Sequence, residues 1–112
     1  MKLSHREEAG VGILEPRGKI MGGPDATMLH DQLHDFIKQG KLKVVIDLKD
    51  VDWMNSTGLG ILIAGLTTLR NNRGDLKLAN VTEKIQSLLT ITKLITVFEA
   101  HDSVEAAIQS FA

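Results

Sequence analysis

The fold class this sequence predicts is a single α/β domain, a mixed central β-sheet flanked by about four helices. Three observations lead there. Val44-Val45-Ile46-Asp47-Leu48 is apolar on consecutive positions, as in a strand covered on both faces. Around it, segments with apolar residues at helical spacing alternate with short apolar runs, and parallel strands need connections of that length to cross a sheet. The 112 residues suit one core, and no repeat, low-complexity tract or linker divides them, so the domain is read as residues 1–112.

Each element follows in chain order. Lys2 to Glu8 predicts an edge strand with weak alternation, and Ala9-Gly10 a turn into a second strand, Val11 to Glu15. Pro16 to Pro24 is punctuated by glycine and proline, and Gly18 to Pro24 reads as a loop. Pro24 and Asp25 suit a helix start, and Ala26, Leu29, Leu33, Phe36 and Ile37 recur at helical spacing up to Gly40, a residue that accepts a left-handed C-cap. The strand Val44–Leu48 comes next, and Asp50 to Asn55 reads as a loop. Leu59, Leu62, Ile63, Leu66 and Leu69 form a second helical stripe closing near Asn71-Asn72. Gly74 and Asp75 lead into a strand, Leu76 to Ala79. Thr82 caps a third helix carrying Ile85, Leu88 and Leu89, and Leu94 to Phe98 reads as another strand. Asp102-Ser103-Val104-Glu105 has the spacing of a capping box, and Val104, Ala107, Ile108 and Phe111 supply the apolar face of a last helix.

Composition narrows the function. Thirteen basic residues against fourteen acidic ones, a net charge of -1, give no basic face for a nucleic-acid partner. The absence of cysteine excludes disulfides, thiolate nucleophiles and Cys-ligated zinc. Met1 to Gly10 lacks the apolar stretch of a signal peptide, and runs such as Leu59 to Leu66 are far short of a membrane span. The expectation is a cytoplasmic protein with no membrane insertion.

Enzyme signatures are weak. His30 and His34, with Asp31 and Asp35, make two i,i+4 pairs, but no His-Glu-x-x-His motif accompanies them and a solvated helix face is the simpler reading; His5 and His101 add no further motif. There is no Gly-x-Ser-x-Gly elbow. Gly18 to Gly23 lacks the Gly-Lys-Ser/Thr ending of a phosphate loop, so Lys19 is not a Walker lysine.

The informative segment is Asp50-Val51-Asp52-Trp53-Met54-Asn55-Ser56-Thr57-Gly58-Leu59-Gly60, between the buried strand and the strongest helix. Binding loops gather at the carboxyl ends of strands in open α/β sheets. Asn55, Ser56 and Thr57 are all competent N-caps, and Gly58 and Gly60 leave the first turn without bulk, so that a partner's backbone could approach. Ser56 is therefore either a helix cap or a phosphorylated residue. Thr57 is either a support for the turn or a second phosphoacceptor. Trp53 is either partly buried or part of a contact surface, and Met54 suits the core.

This segment, with the strand before it and Gly74-Asp75-Leu76-Lys77-Leu78-Ala79-Asn80-Val81 after it, resembles the STAS family, in particular its bacterial anti-sigma factor antagonists. The resemblance spans nearly the whole chain. It implies a regulator rather than an enzyme, without cofactor or metal, and Ser56 as the phosphoacceptor. It also implies a partner: an anti-sigma factor with serine/threonine kinase activity of the GHKL type, bound by the unphosphorylated protein so that a sigma factor is released. A PP2C-type phosphatase would reverse the modification. The contact surface so implied comprises Asp25, Trp53, Asn55, Ser56, Thr57, Gly58, Leu59 and Gly60. Two departures stand out. Asn55 occupies a position where the family commonly has Asp, and the loop Gly18–Asp25 is expanded, with Met21 where an acidic residue often lies and Asp25 as its substitute. They keep open an alternative, a non-switching STAS adaptor subunit in a sensor or transport assembly.

Overall fold

The computed structural model describes residues 1–111; Ala112, the end of the expected domain, lies outside them. The chain runs β1 (Lys2–Glu8), β2 (Val11–Ile20), α1 (Pro24–Lys38), β3 (Lys43–Asp47), β4 (Val51–Met54), α2 (Ser56–Asn71), β5 (Asp75–Ala79), α3 (Glu83–Ile91), β6 (Ala100–His101) and α4 (Val104–Ser110). The sheet order is β1-β2-β3-β5-β6, with β4 also paired to β2. The β1–β2 hairpin is antiparallel and every other pairing is parallel, so the sheet is mixed as expected.

Period-2 alternation divides the core. Leu14, Val44, Ile46, Leu76 and Leu78 face α1, α2 and α3 and form the larger cluster with Leu33, Phe36, Leu62, Leu69 and Leu89. Val11, Ile13, Val45 and Ala79 face the other way and meet Val104 and Ala107 of α4, with half-buried Ile108 and Phe111 packed against them. Gly12 is required where α1 lies on β2, because a Cβ there would strike the Phe36 ring. Helix α1 ends as expected: Gly40 sits at φ 78°, its N–H reaching the Ile37 carbonyl and that of Lys41 the Phe36 carbonyl.

Four expectations are corrected. Strand β2 does not end at Glu15 but runs through Pro16 to Ile20. Its parallel partner is β3 only as far as Leu14, and β4 takes over from Gly18, so Pro16 falls between the two ladders, where a missing N–H costs least. The expected Asp50–Asn55 loop is mostly β4, recruited by that continuation of β2. Leu94 to Phe98 is not a strand: these residues turn back on α3, with the N–H groups of Leu94 and Ile95 bonded to the Leu89 carbonyl, and β6 forms two residues later. The cap of α4 is Ser103 rather than Asp102, its hydroxyl accepting from Ala106 N–H at 3.0 Å.

The α4 face is the smaller of the two clusters, and polar bonds add to its seat. Lys77 points to its side of the sheet, buried, and its Nζ donates to Ser110 Oγ at 2.7 Å, to the Ser110 carbonyl at 3.2 Å and to Glu99 Oε1 at 3.3 Å, with the Phe111 ring 4.3 Å away. Glu99 also meets His101 Nε2 at 2.8 Å. Desolvation alone would raise the Glu99 carboxyl, but the bonds from His101 and Lys77 outweigh it and hold the group below its ordinary range. A lowered folded-state value stabilises above the unfolded glutamate pKa of about 4.3, and that contribution is lost as pH falls through the lower folded value. Glu99→Gln should therefore flatten the acid limb of a urea-midpoint profile between pH 7 and pH 3, leaving other carboxylates to set what remains.

Candidate functional site

The site is built where β2 and β4 end side by side and α2 begins. Lys19 pairs with Trp53 and Ile20 with Met54, which brings the turn after β2 alongside the turn into α2. Met54 is sealed in the core and Trp53 is 45% exposed, so the strand offers its tryptophan outward. Met21, the next residue after β2, is 42% exposed.

Three residues compete to cap α2, and geometry selects Asn55. Its backbone is extended, and its Oδ1 accepts from Gly58 N–H at 2.8 Å. Ser56 and Thr57 are then the first two residues of the helix, both exposed. The reading of Ser56 as a cap is thus corrected, and its hydroxyl is left at the surface. Asn55 takes the Gly58 N–H and the Asn55 carbonyl takes that of Leu59, leaving the N–H groups of Ser56 and Thr57 as the open donors of the helix terminus. No acidic residue lies in the first turn, so a negative charge on Ser56 would meet a favourable helix dipole. Asn55→Ala should lower global stability by about 1 kcal/mol, readable as a drop in the urea midpoint, whereas Asn55→Asp should keep the cap.

The remaining expected contact residues divide by depth. Gly60 is open, with nothing within 4 Å of where a Cβ would stand. Gly58 is buried, and its missing side chain makes room for this chain itself: a Cβ there would collide with the Ile20 carbonyl oxygen and with Met54. Leu59 is core. Asp25 is only 9% exposed; its Oδ2 accepts from Met21 N–H at 3.0 Å, and its Oδ1 lies 3.5 Å from the amino group of Met1. The structure therefore places Asp25, Gly58 and Leu59 beneath the surface formed by Trp53, Asn55, Ser56, Thr57 and Gly60. Asp25 fixes the turn that presents Met21, and Gly22 within that turn abuts the Thr57 methyl, at a φ of 116° that favours glycine.

Sequence reasoning missed one feature beside this surface. Helices α1 and α2 leave between them an apolar groove of about 280 Å³, beginning at Thr57 and Gly60 and running to Thr68. His30 and His34, expected on a solvated face, line it with ring centroids 4.1 Å apart. The signal for it in the sequence is the run of small residues Gly60, Ala64 and Gly65 on one side of α2. Among the described residues no group of three or more His, Asp or Glu side chains is placed to hold a metal ion, and no helix is long and apolar enough to cross a membrane.

A mixed sheet with helices on both faces defines the class, an α/β domain whose helix α2 opens on an exposed serine directly after β4. The STAS domain profile matches residues 2–107, and this chain belongs to the STAS family. It is similar to an anti-sigma-B factor antagonist of Bacillus subtilis, 33% identical over 84 residues that make up 75% of this chain and 76% of that one. Among solved structures, the Bacillus cell fate determinant SpoIIAA in its phosphorylated form aligns over 99% of this chain and 100% of its own with a TM-score of 0.73 at 14% identity. A sulfate transporter family protein from Wolinella succinogenes aligns over 92% of this chain and 85% of its own, with a TM-score of 0.79 at 21% identity. At these identities the two structural likenesses concern the fold.

Proposed function

We propose that this protein is an anti-sigma factor antagonist whose docking is switched at Ser56. The unphosphorylated protein binds an anti-sigma factor that carries GHKL-type serine/threonine kinase activity, and so frees a sigma factor. That kinase transfers phosphate to Ser56, the antagonist leaves, and a PP2C-type phosphatase resets it. The observation that carries this reading is that Asn55 does the capping, which leaves the Ser56 hydroxyl exposed at the first position of α2. The similarity to the Bacillus subtilis antagonist supports the partner class.

The physics of the switch is local. A phosphate adds a charge of about -1.5 to -2. At Ser56 it sits beside the open Ser56 and Thr57 N–H groups, which tolerate it, so the fold survives. Around it lie exposed Trp53 and Met21, apolar anchors of the kind that carry binding energy once water is excluded. A dianion in that patch retains its water and repels an apolar or acidic partner face. Switching therefore acts on the surface and leaves the interior alone. Trp53, Asn55, Ser56, Thr57 and Gly60 make the contact, with Thr57 a secondary acceptor, while Asp25, Gly58 and Leu59 hold the surface in shape.

The test is displacement. Purified unphosphorylated protein, titrated into a complex of its cognate anti-sigma factor with sigma factor, should release the sigma factor, and the Ser56-phosphorylated protein should not. A complex that forms and persists whatever the state of Ser56 would select the adaptor role in a sensor or transport assembly, and the fold's occurrence in a sulfate transporter family protein keeps that role in view.

A further inference from the structure

The groove between α1 and α2 has no assigned role. Its α2 wall is built from Gly60, Ile61, Ala64 and Gly65, and its α1 wall from Leu29, His30, Leu33 and His34. The helices can approach because Gly65 has no side chain: a Cβ there would strike Leu33. Above it, the space around Gly60 is empty and Ala64 is exposed, which leaves the wall low and open. No lysine, arginine, aspartate or glutamate lines it.

Its position matters as much as its chemistry. Ser56, Gly60 and Ala64 are four residues apart, so they stack along one face of α2 with Ser56 at the top. Thr57 and Gly60 belong both to the proposed contact surface and to the groove. The groove is thus the continuation of that surface along the helix pair, and the phosphoacceptor stands at its upper end.

We infer that the groove receives a bulky apolar side chain, aromatic or leucine, from the anti-sigma factor, and that this insertion is the anchor that phosphorylation at Ser56 dislodges. The inference rests on the docking reading above. A protein partner is favoured over a small ligand because the groove is continuous, through Thr57 and Gly60, with the exposed Trp53 and Met21 surface, and its lining carries no lysine, arginine, aspartate or glutamate to pair with a charged free molecule. Anchors of this kind occupy well-packed pockets near the centre of an interface, ringed by contacts that exclude water. A dianion at the mouth keeps water there, which links the modification to loss of the anchor without any movement of the fold.

The test fills the groove. Ala64→Leu occupies it with a hydrocarbon side chain, and Ala64→Lys obstructs it from the same exposed position with a side chain helices accept equally well. Each is compared with wild type, Ser56→Asp and a control on α3, Lys84→Ala, by calorimetric titration of the purified cognate anti-sigma factor, with circular dichroism to confirm the fold. Both Ala64 variants should raise Kd by at least about thirtyfold, and the control should stay within twofold. Weakening by Ser56→Asp with unchanged affinity in a folded Ala64 variant would overturn the groove inference and leave the docking reading standing. No binding by the wild type would remove both. A groove that serves a second copy of this chain or a small apolar ligand would show itself as unchanged anti-sigma affinity together with altered sedimentation or a bound mass in native spectrometry, and either result counts against the inference.

Discussion

Ser56→Asp is expected to weaken binding to the anti-sigma factor by roughly a hundredfold while leaving the protein as stable as before, or slightly more so. The two effects have opposite signs because they act on different things. Within the helix, a carboxylate in the first turn meets the positive end of the dipole and adds about 0.3–1 kcal/mol. At the interface, the same charge is forced against an incoming face that must shed water to bind Trp53 and Met21, at a cost of several kcal/mol when like charges or apolar groups oppose it. Ser56→Ala removes the acceptor and little else, since the capping bond belongs to Asn55. It should bind within a few-fold of wild type and remain bound in the presence of ATP and kinase. Thermal melts and calorimetric titrations of the two variants, read together, separate loss of docking from loss of fold. A parallel fall in both for Ser56→Asp would mean that the hydroxyl is structural.

The other large effect is expected at the glycines of the same turn, again with opposite signs. On helix propensity alone, alanine should improve both Gly58 and Gly60 by about 1 kcal/mol. At Gly60 nothing opposes it, because the space around the new methyl is empty, and Gly60→Ala should raise the melting midpoint by about 4–8 °C. At Gly58 the methyl would run into the carbonyl oxygen of Ile20, an atom of the strand backbone that cannot rotate away as a side chain can, and into Met54. Such overpacking costs about 1–3 kcal/mol and at a backbone atom lies at the upper end. The collision outweighs the propensity gain, so Gly58→Ala should lower the midpoint by about 8–15 °C. Two glycines two residues apart, with the same intrinsic preference, thus report different roles: one lets β2 and α2 meet, the other keeps the contact surface open.

How far the fold is legible in the sequence depends on where each segment finds its partners. Helices α1, α2 and α3 carry their own apolar stripes, and the Pro24 and Thr82 starts and the Gly40 stop are local chemistry. Strand β3 declares itself because both its faces are covered. Strand β4 does not: only Val51 and Met54 are buried, its other members are Asp52 and Trp53, and its existence depends on β2 continuing past Pro16. The Leu94–Phe98 run misleads for the converse reason. Leu94, Ile95 and Phe98 reach the core from turns tied to α3 while Val97 stays exposed, so the hydrophobic run there reflects partial burial without extension. At the site, Asn55, Ser56 and Thr57 are equivalent candidates by residue type, and only the backbone geometry at the helix entrance decides that Asn55 caps. The burial of Asp25 and the α1–α2 groove are products of tertiary contact, and neither has a signature in a single segment.

The most direct measurement is site mapping of the phosphate. The protein is incubated with its cognate anti-sigma kinase and ATP, digested and sequenced by tandem mass spectrometry, while the complex is followed on a sizing column. A single phosphate on Ser56, appearing as the complex dissociates, is the expected result. Phosphate confined to another residue, or Ser56 fully modified with the complex intact, would contradict the switch.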